Sequence, residues 1–222
     1  MRQKLLGIVE AVLIALVILA GAIAVPVLFR PFFWWHIEPL NLAEQMGLSV
    51  AQIKEAYGQM LDYCIGLKDT FSVGVLPFSE SGAAHFAAVR KLFILDLAVL
   101  VAAAVLLMGV RIFRRGKALR LAGHTPGFWS AVGLGAAFVS VGGLAALDFD
   151  RAFTVFHKVF FPGKNNWLFD SREDPVIRML PEAFFRNCAI LILALILISC
   201  VGLLIYDRKR LPCAKATETP NL

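Results

Sequence analysis

Two histidines, His85 and His157, are the residues of this sequence best placed to do chemistry. Each lies in a polar segment close to a long apolar run. One neutral imidazole can take a proton from an attacking group, while a second imidazole or a backbone N–H stabilises an oxyanion or protonates a leaving alkoxide. No recognisable serine or cysteine nucleophile motif accompanies them. The pair therefore suits acyl transfer in which the substrate supplies both the nucleophile and the ester.

His157 lies in an aromatic segment, residues 148–185, between two apolar runs. If residues 148–160 form a helix, Asp150 shares a face with His157 but lies two turns away, about 10 Å along the axis. Any partner of His157 must therefore come from elsewhere in the chain.

The residues after this segment's first aromatic run predict a turn and then a loop. The Gly and Asn content of residues 163–167 is typical of a turn, and Trp167 suits a membrane interface. Four charged residues follow, namely Asp170, Arg172, Glu173 and Asp174. They predict a solvated loop in which these side chains pair with one another.

His85 lies in a segment, residues 76–93, that predicts a capped helix leading into an apolar run. Ser79 or Ser81 can cap this helix, Glu80 lies in or just before the first turn, and His85 follows about one turn later. His85 should then lie just outside the hydrocarbon.

Upstream, residues 48–67 predict an amphipathic helix with Ser49 as its N-cap. It either packs under the second polar connection or lies in the membrane interface. Packing is the favoured interpretation of Tyr57 on its apolar face, with a catalytic role in reserve.

Composition and apolar runs indicate an all-α membrane protein with four transmembrane helices. The chain has 222 residues, of which 59% are hydrophobic and 17% charged. Four apolar runs approach the roughly 20 residues that a helix needs to cross a bilayer. They comprise residues 5–29, 92–113, 128–147 and 188–206. The first is interpreted as a retained anchor, because a cleavable signal has a shorter apolar core.

The basic residues indicate topology, not a nucleic-acid partner. The net charge is +6, but the Lys and Arg residues gather at the ends of the apolar runs. Their distribution puts both termini, the loop 114–127 and the tail 207–222 on the cytoplasmic side of the membrane. The connections 30–91 and 148–187 then face outward as a small, partly helical cap. The first opens with an aromatic belt typical of headgroup depth, namely Phe32, Phe33, Trp34 and Trp35.

Cysteine usage predicts no disulfide and no cysteine nucleophile. Cys64 is the one cysteine in an outer connection, and nothing nearby in sequence supplies a base for it. Cys188 and Cys200 fall in the last apolar run, and Cys213 lies in the tail.

Two motifs in the outer connections resemble those of the lipoprotein intramolecular transacylase (Lit) family of bacterial integral membrane proteins. The first is F-S-E followed by His at residues 78–85. The second, more specific, is F-H-K-x-F-F…W-x-F-D…D-x-x-I…P-x-x-F-F at residues 156–185. The resemblance extends to the whole four-span layout.

This resemblance implies a membrane enzyme without a cofactor or metal. Its substrate would be a diacylated bacterial lipoprotein, whose sn-2 acyl chain moves to the α-amine of its own N-terminal cysteine, giving the lyso-form. The positions that match the family's two histidines are His85 and His157. We predict that His157 is the general base and that His85 is an acid or an oxyanion stabiliser. The lipid tails would lie between the spans.

One position departs from the family pattern. An acidic residue often follows the first histidine by three positions, and this chain has Ala88 there. The orientation of His85 must then come from Glu80 or from the second outer connection.

Two other classes of protein compete with this interpretation. His36, His85 and His157, with Glu80 or Asp170, could supply N and O ligands to a zinc- or copper-type ion in an outer-leaflet metal- or lipid-binding protein. No two of these histidines have the i, i+3 or i, i+4 spacing of a dense ligand motif. The third class is a purely structural membrane subunit.

Overall fold

The structure, a computed structural model, describes residues 2–114 and 119–210 and is all-helical over these ranges. Helices form in the order α1 (Arg2–Leu28), α2 (Pro31–Ile37), α3 (Leu42–Met46), α4 (Val50–Cys64), α5 (Glu80–Phe113), α6 (Pro126–Leu147), α7 (Phe149–Phe160), α8 (Val176–Met179) and α9 (Glu182–Arg210). Arg115, Lys117 and Cys213 lie outside the described residues.

Four of these helices are long and apolar enough to cross a membrane, which confirms the predicted class. The candidate spans are Gln3–Leu28, Glu80–Phe113, Pro126–Leu147 and Glu182–Arg210. α5 has 34 residues and is therefore about 51 Å long, longer than the roughly 30 Å hydrocarbon core. Its apolar part follows Lys91, so its first turns, including His85, extend beyond the membrane-spanning part.

α1 is the most deeply buried of the four long helices, and α5, α6 and α9 pack around it. Small side chains let these helices approach closely, among them Ala22 on α1 and Ala131 on α6. α6 packs closely on α9 at Gly142, where a Cβ atom would lie 2.8 Å from Leu193 Cδ2.

The shorter helices form a cap over the ends of α1 and α6 and the starts of α5 and α9. We use "the cap" for α2, α3, α4, α7 and α8 with their connections. Ser49 caps α4 in a capping box with Gln52, as the sequence predicts. α4 buries its apolar face against residues of the second connection, including Val176 and Met179. It is therefore packed under that connection and does not lie free in the interface.

The predicted aromatic belt is only partly at the surface. Trp34 and Trp35 are exposed, but Phe33 is fully buried and stacks on Tyr57 with ring centroids 3.8 Å apart. For Phe33 the interfacial prediction is wrong, because α2 turns this side chain into the core of the cap.

Ion pairs hold the opposite end of the bundle together. Glu10 of α1 is buried and lies 3.4 Å from Arg111 Nε and 3.2 Å from Arg114 Nη2 of α5. Asp207 of α9 is also buried and pairs with His124 in the loop before α6. These contacts tie α1 to the end of α5, and α9 to the loop before α6.

Replacing Gly142 with leucine should destabilise the bundle, because the added side chain collides with Leu193. Overpacking of this kind costs about 1–3 kcal/mol. The matched control is Gly143→Leu on the same helix, where an added Cβ has no neighbour within 4 Å. Thermal unfolding in detergent should show a lower midpoint for Gly142→Leu alone. Equal midpoints for the two variants would contradict this packing.

Candidate active site

The first turns of α5 and the last turn of α7 bring His85 and His157 together. The two ring centroids are 6.0 Å apart and the ring planes are inclined by 27°. Both side chains are buried, with His85 5% and His157 8% exposed. Two imidazoles separated by 72 positions (157 − 85) therefore form one pair where the start of α5 meets the cap.

The backbone of α7 fixes the tautomer of His157. Nδ1 lies 2.8 Å from the carbonyl oxygen of Phe153, one turn earlier. Because a carbonyl oxygen only accepts, Nδ1 carries the hydrogen and donates it. The lone pair of the neutral ring is therefore on Nε2, and this atom can take up a proton.

Aromatic rings hold His157 in place on both sides. Trp167 stacks on it at 4.7 Å between centroids, with planes inclined by 28°. Phe153 packs at 4.3 Å and Phe156 at 5.4 Å. The ring is thereby oriented without a carboxylate.

His85 lies in a similar aromatic setting. Its ring contacts Phe161 at 4.9 Å and Phe169 at 5.3 Å between centroids. Its Nδ1 atom is buried and has no hydrogen-bond partner among the described residues, and the same holds for Oδ1 of Asn166. The Asn166 side chain is nonetheless close enough to His85 to favour its protonated form, so the two groups face each other in the site.

Burial keeps both histidines neutral near pH 7. Desolvation, reinforced by His157, lowers the pKa of His85 to about 4, and the side chain of Asn166 opposes this effect. Desolvation also lowers the pKa of His157, against the effect of its hydrogen bond to Phe153. The site thus presents a neutral acceptor and a neutral donor.

Asp174 fixes the start of α5 to the second connection. Its Oδ1 accepts a hydrogen bond from the Ser79 N–H at 2.8 Å, and Oδ2 accepts one from the Ser79 hydroxyl at 2.7 Å. Ser79 Oγ in turn accepts from the N–H of Gly82 at 2.9 Å, which confirms Ser79 as the N-cap. A Cβ atom on Gly82 would lie 2.3 Å from Asp174 Oδ1, so this close approach requires glycine.

The prediction of a solvated loop is therefore wrong for Asp174, which is 4% exposed. Its carboxylate is buried because α5 offers it two donors at a helix N-terminus. Asp170 is exposed and accepts from the N–H of Arg172 at 2.9 Å in a local turn.

The other residues singled out in the sequence lie at various distances from the pair. Trp167 contacts His157 directly. Glu80 is exposed in the first turn of α5, and Asp150 lies within hydrogen-bond reach of Glu182. Tyr57 is buried in the core of the cap between Phe33 and Phe184, and this burial raises its pKa.

His36 does not join the pair. Its Nδ1 lies 2.6 Å from the carbonyl oxygen of Phe32, and its ring contacts Phe32 and Phe184. Within residues 2–114 and 119–210, no group of three or more His, Cys, Asp or Glu side chains converges as a metal site would require. The ligand set considered for a metal ion is therefore dispersed.

Four residues of the site escaped the analysis of the sequence as participants, namely Phe161, Asn166, Phe169 and Asp174. A signal existed for three of them, because Phe161, Phe169 and Asp174 occur within the second motif. Nothing local distinguishes Asn166 from its neighbour Asn165 in a turn.

An exposed apolar face of α7 borders the site. Phe156 and Phe160 pack against each other at 4.6 Å and are each 48% exposed. Val155 and Val159 extend this face. Two grooves in the membrane-spanning part, one along α1 near Lys4 and one between α1 and α5 near Arg111, do not reach the histidines.

Fold and site together define a polytopic membrane protein with a paired-histidine centre under an aromatic cap. The family model described as lipoprotein intramolecular transacylase Lit matches residues 8–185. The chain belongs to this family of membrane enzymes, as its motifs indicate. No curated protein matches the chain significantly.

Solved structures of similar fold include the membrane-integral lipoprotein intramolecular transacylase Lit from Bacillus cereus, determined in meso. One has a TM-score of 0.85 at 24% identity and covers 94% of this chain and 95% of that chain. Two others carry a histidine-to-arginine or a histidine-to-alanine substitution. The arginine form has a TM-score of 0.78 at 24% identity over 94% of this chain and 91% of its own. The alanine form has a TM-score of 0.75 at 25% identity, covering 94% of each chain.

Replacing Asp174 with alanine should destabilise the protein by about 1.5–3 kcal/mol, because both hydrogen bonds to Ser79 involve a charged group. Thermal unfolding in detergent measures the effect. Glu173→Ala is the matched control, since this neighbouring carboxylate is exposed. An unfolding midpoint for Asp174→Ala equal to that of the control would contradict the contact.

Proposed function

We propose that the chain transfers the sn-2 acyl chain of a diacylglyceryl lipoprotein to the α-amine of that lipoprotein's N-terminal cysteine, using His157 as base. The observation that carries this proposal is the neutral ring of His157, whose Nε2 lone pair is set by the Nδ1 hydrogen bond to Phe153. His85, 6.0 Å away, supplies the second function that acyl transfer needs.

The proposed reaction proceeds through a tetrahedral intermediate. The amine nitrogen bonds to the ester carbonyl carbon, and the π electrons move to the carbonyl oxygen. His157 Nε2 takes a proton from the attacking nitrogen. Collapse re-forms the carbonyl, breaks the bond to the glyceryl oxygen, and returns the proton from His157 to that oxygen. The enzyme contributes proximity and proton transfer, and no acyl-enzyme forms.

His85 is better suited to stabilise the oxyanion than to act as an acid. With a pKa of about 4 its imidazole is neutral at pH 7 and has no readily transferred extra proton. A neutral imidazole still carries one N–H, and a preorganised donor in a water-poor site stabilises a developing negative charge strongly.

The surroundings of the pair suit a lipid-anchored substrate. The exposed apolar face of α7, with Phe156 and Phe160, offers a surface for acyl chains directly beside His157. The distribution of basic residues favours an extracytoplasmic site in a bacterial plasma membrane with both termini in the cytoplasm. In this orientation α7 lies at the outer leaflet, where the N-terminus of a bacterial lipoprotein is anchored.

Replacing His157 with glutamine should lower the rate by about 10²–10⁴, the usual contribution of a general base. The chain is expressed in a host that lacks lipoprotein N-acylation, and a model lipoprotein is examined by mass spectrometry. The wild type should give one amide-linked chain on cysteine and one ester-linked chain on glycerol. His36→Gln is the matched control and should retain activity. An unaltered diacyl lipoprotein with the wild type would overturn the proposed function.

The role of His85 as a donor predicts different losses for two substitutions. His85→Ala should lower the rate about 10²–10³-fold. His85→Gln keeps an N–H group and should lower the rate less. Equal losses would favour an acid.

The pH dependence of the wild-type rate at low substrate concentration provides the second readout. It should rise through the α-amine pKa of about 7.7–8.0 and stay level above it, because His157 loses its basic form only below its lowered pKa. An alkaline fall set by His85 would show that it acts as a protonated acid.

A further inference from the structure

We propose that a groove at the end of the bundle opposite the histidines binds an anionic phospholipid, with its phosphate at Lys4 and Arg120. The groove runs along α1 and has a volume of about 450 Å³. It is an open groove on the surface of the bundle, a shape that a lipid lying along a membrane-spanning helix can occupy. It is separate from the site of acyl transfer and independent of the proposed reaction.

The groove combines a cationic mouth with apolar walls. Lys4 and Arg120 are exposed at one end, and Ile8, Val12, Leu121 and Trp129 line the rest. Lys4, Ile8 and Val12 follow at intervals of four residues, so they share one face of α1 over about 12 Å. A lipid with a charged headgroup and an attached acyl chain fits a groove that is cationic at one end and apolar along the rest.

The walls are held rigidly. The indole N–H of Trp129 donates to the carbonyl of Leu121 at 2.8 Å, and Leu121 exchanges two backbone hydrogen bonds with His124. Leu121 also lies against α1, because a Cβ atom on Gly7 would be only 2.9 Å from its side chain. The groove is therefore a fixed feature between three parts of the chain.

The two basic residues of the groove carry charge that no carboxylate among the described residues neutralises. The carboxylates near this end, Glu10 and Asp207, are already paired, with Arg111 and Arg114 and with His124 respectively. Neither Lys4 nor Arg120 has a carboxylate partner among the described residues. Arg120 donates to the carbonyls of Gly123 and Arg210, which hold its guanidinium at the mouth.

An anionic phospholipid fits these features better than a free anion. Basic residues at the ends of membrane spans lie at headgroup depth, where lipid phosphates are the abundant anions. The apolar walls add a preference for a ligand with a hydrocarbon chain, which inorganic phosphate lacks.

The test is lipid binding to the full chain in mild detergent, measured by native mass spectrometry. Phosphatidylglycerol and phosphatidylcholine with identical acyl chains are titrated separately, and inorganic phosphate forms a third arm. Wild-type protein should bind phosphatidylglycerol more tightly than phosphatidylcholine. Lys4→Gln should weaken phosphatidylglycerol binding about fivefold, and adding Arg120→Gln should weaken it about fivefold again.

Two control variants separate the groove from general surface charge. Lys68→Gln with Lys91→Gln removes two exposed cations at the cap end and should leave the preference intact. Val12→Trp fills the groove without changing its charge and should weaken binding of both lipids. Since Arg120 also holds the loop, Lys4→Gln is the variant in which folding is least affected.

Three results would overturn the proposal. The first is equal binding of the two lipids by the wild type. The second is a preference for phosphatidylglycerol that survives in the Lys4→Gln, Arg120→Gln variant. The third is an equal loss of phosphatidylglycerol binding in the Lys68→Gln, Lys91→Gln control. Competition by inorganic phosphate as effective as that by the lipid would show that a free anion is the ligand instead.

Discussion

The hydrogen bonds from Ser79 to Asp174 are the contact on which the geometry of the site depends. α5 carries His85, and the connection after α7 carries Asp174, so these two bonds link the elements that hold the two imidazoles. The same connection supplies Trp167, which stacks on His157, and Phe169, which contacts His85. If this link were lost, each histidine would keep its own helix but not its distance from the other. Asp174 thereby takes over the orienting role that the sequence left open between Glu80 and the second connection.

Desolvation then determines what the two histidines can do. Rings of Phe, Trp and the partner imidazole surround them, and burial disfavours the imidazolium form of each. An unprotonated imidazole can accept a proton and an imidazolium cannot. Burial therefore keeps His157 in the form that the proposed base requires. The same environment removes the extra proton that His85 would need as an acid, and leaves it an N–H donor. Under the proposed mechanism, burial keeps both rings neutral, and the hydrogen bond from His157 Nδ1 to the Phe153 carbonyl distinguishes the proposed base from the proposed donor.

Local patterns in the sequence predict much of the fold. The apolar runs give the four long helices, and the Ser49 and Ser79 caps follow from short-range capping chemistry. The histidine pair follows only from the resemblance, because its members are 72 positions apart. The contact between Asp174 and Ser79 spans 95 positions, and nothing in the charged run around Asp174 indicates which carboxylate is buried. Phe33 was misplaced for a similar reason, since its burial depends on stacking with Tyr57 on another helix.

The length of α5 fixes the distance between His85 in the site and Arg111 in the ion pair at the far end of the bundle. Arg111 lies 26 residues (111 − 85) after His85 in one continuous helix, a distance of about 39 Å. The hydrocarbon core is about 30 Å thick. A helix of this length can place Arg111, paired with Glu10, near one surface of the membrane and His85 beyond the hydrocarbon at the other. The ester and amine of a lipid-anchored N-terminal cysteine lie at this same headgroup depth. In the proposed function, the reacting groups of such a substrate would meet the two imidazoles while its acyl chains remain in the membrane.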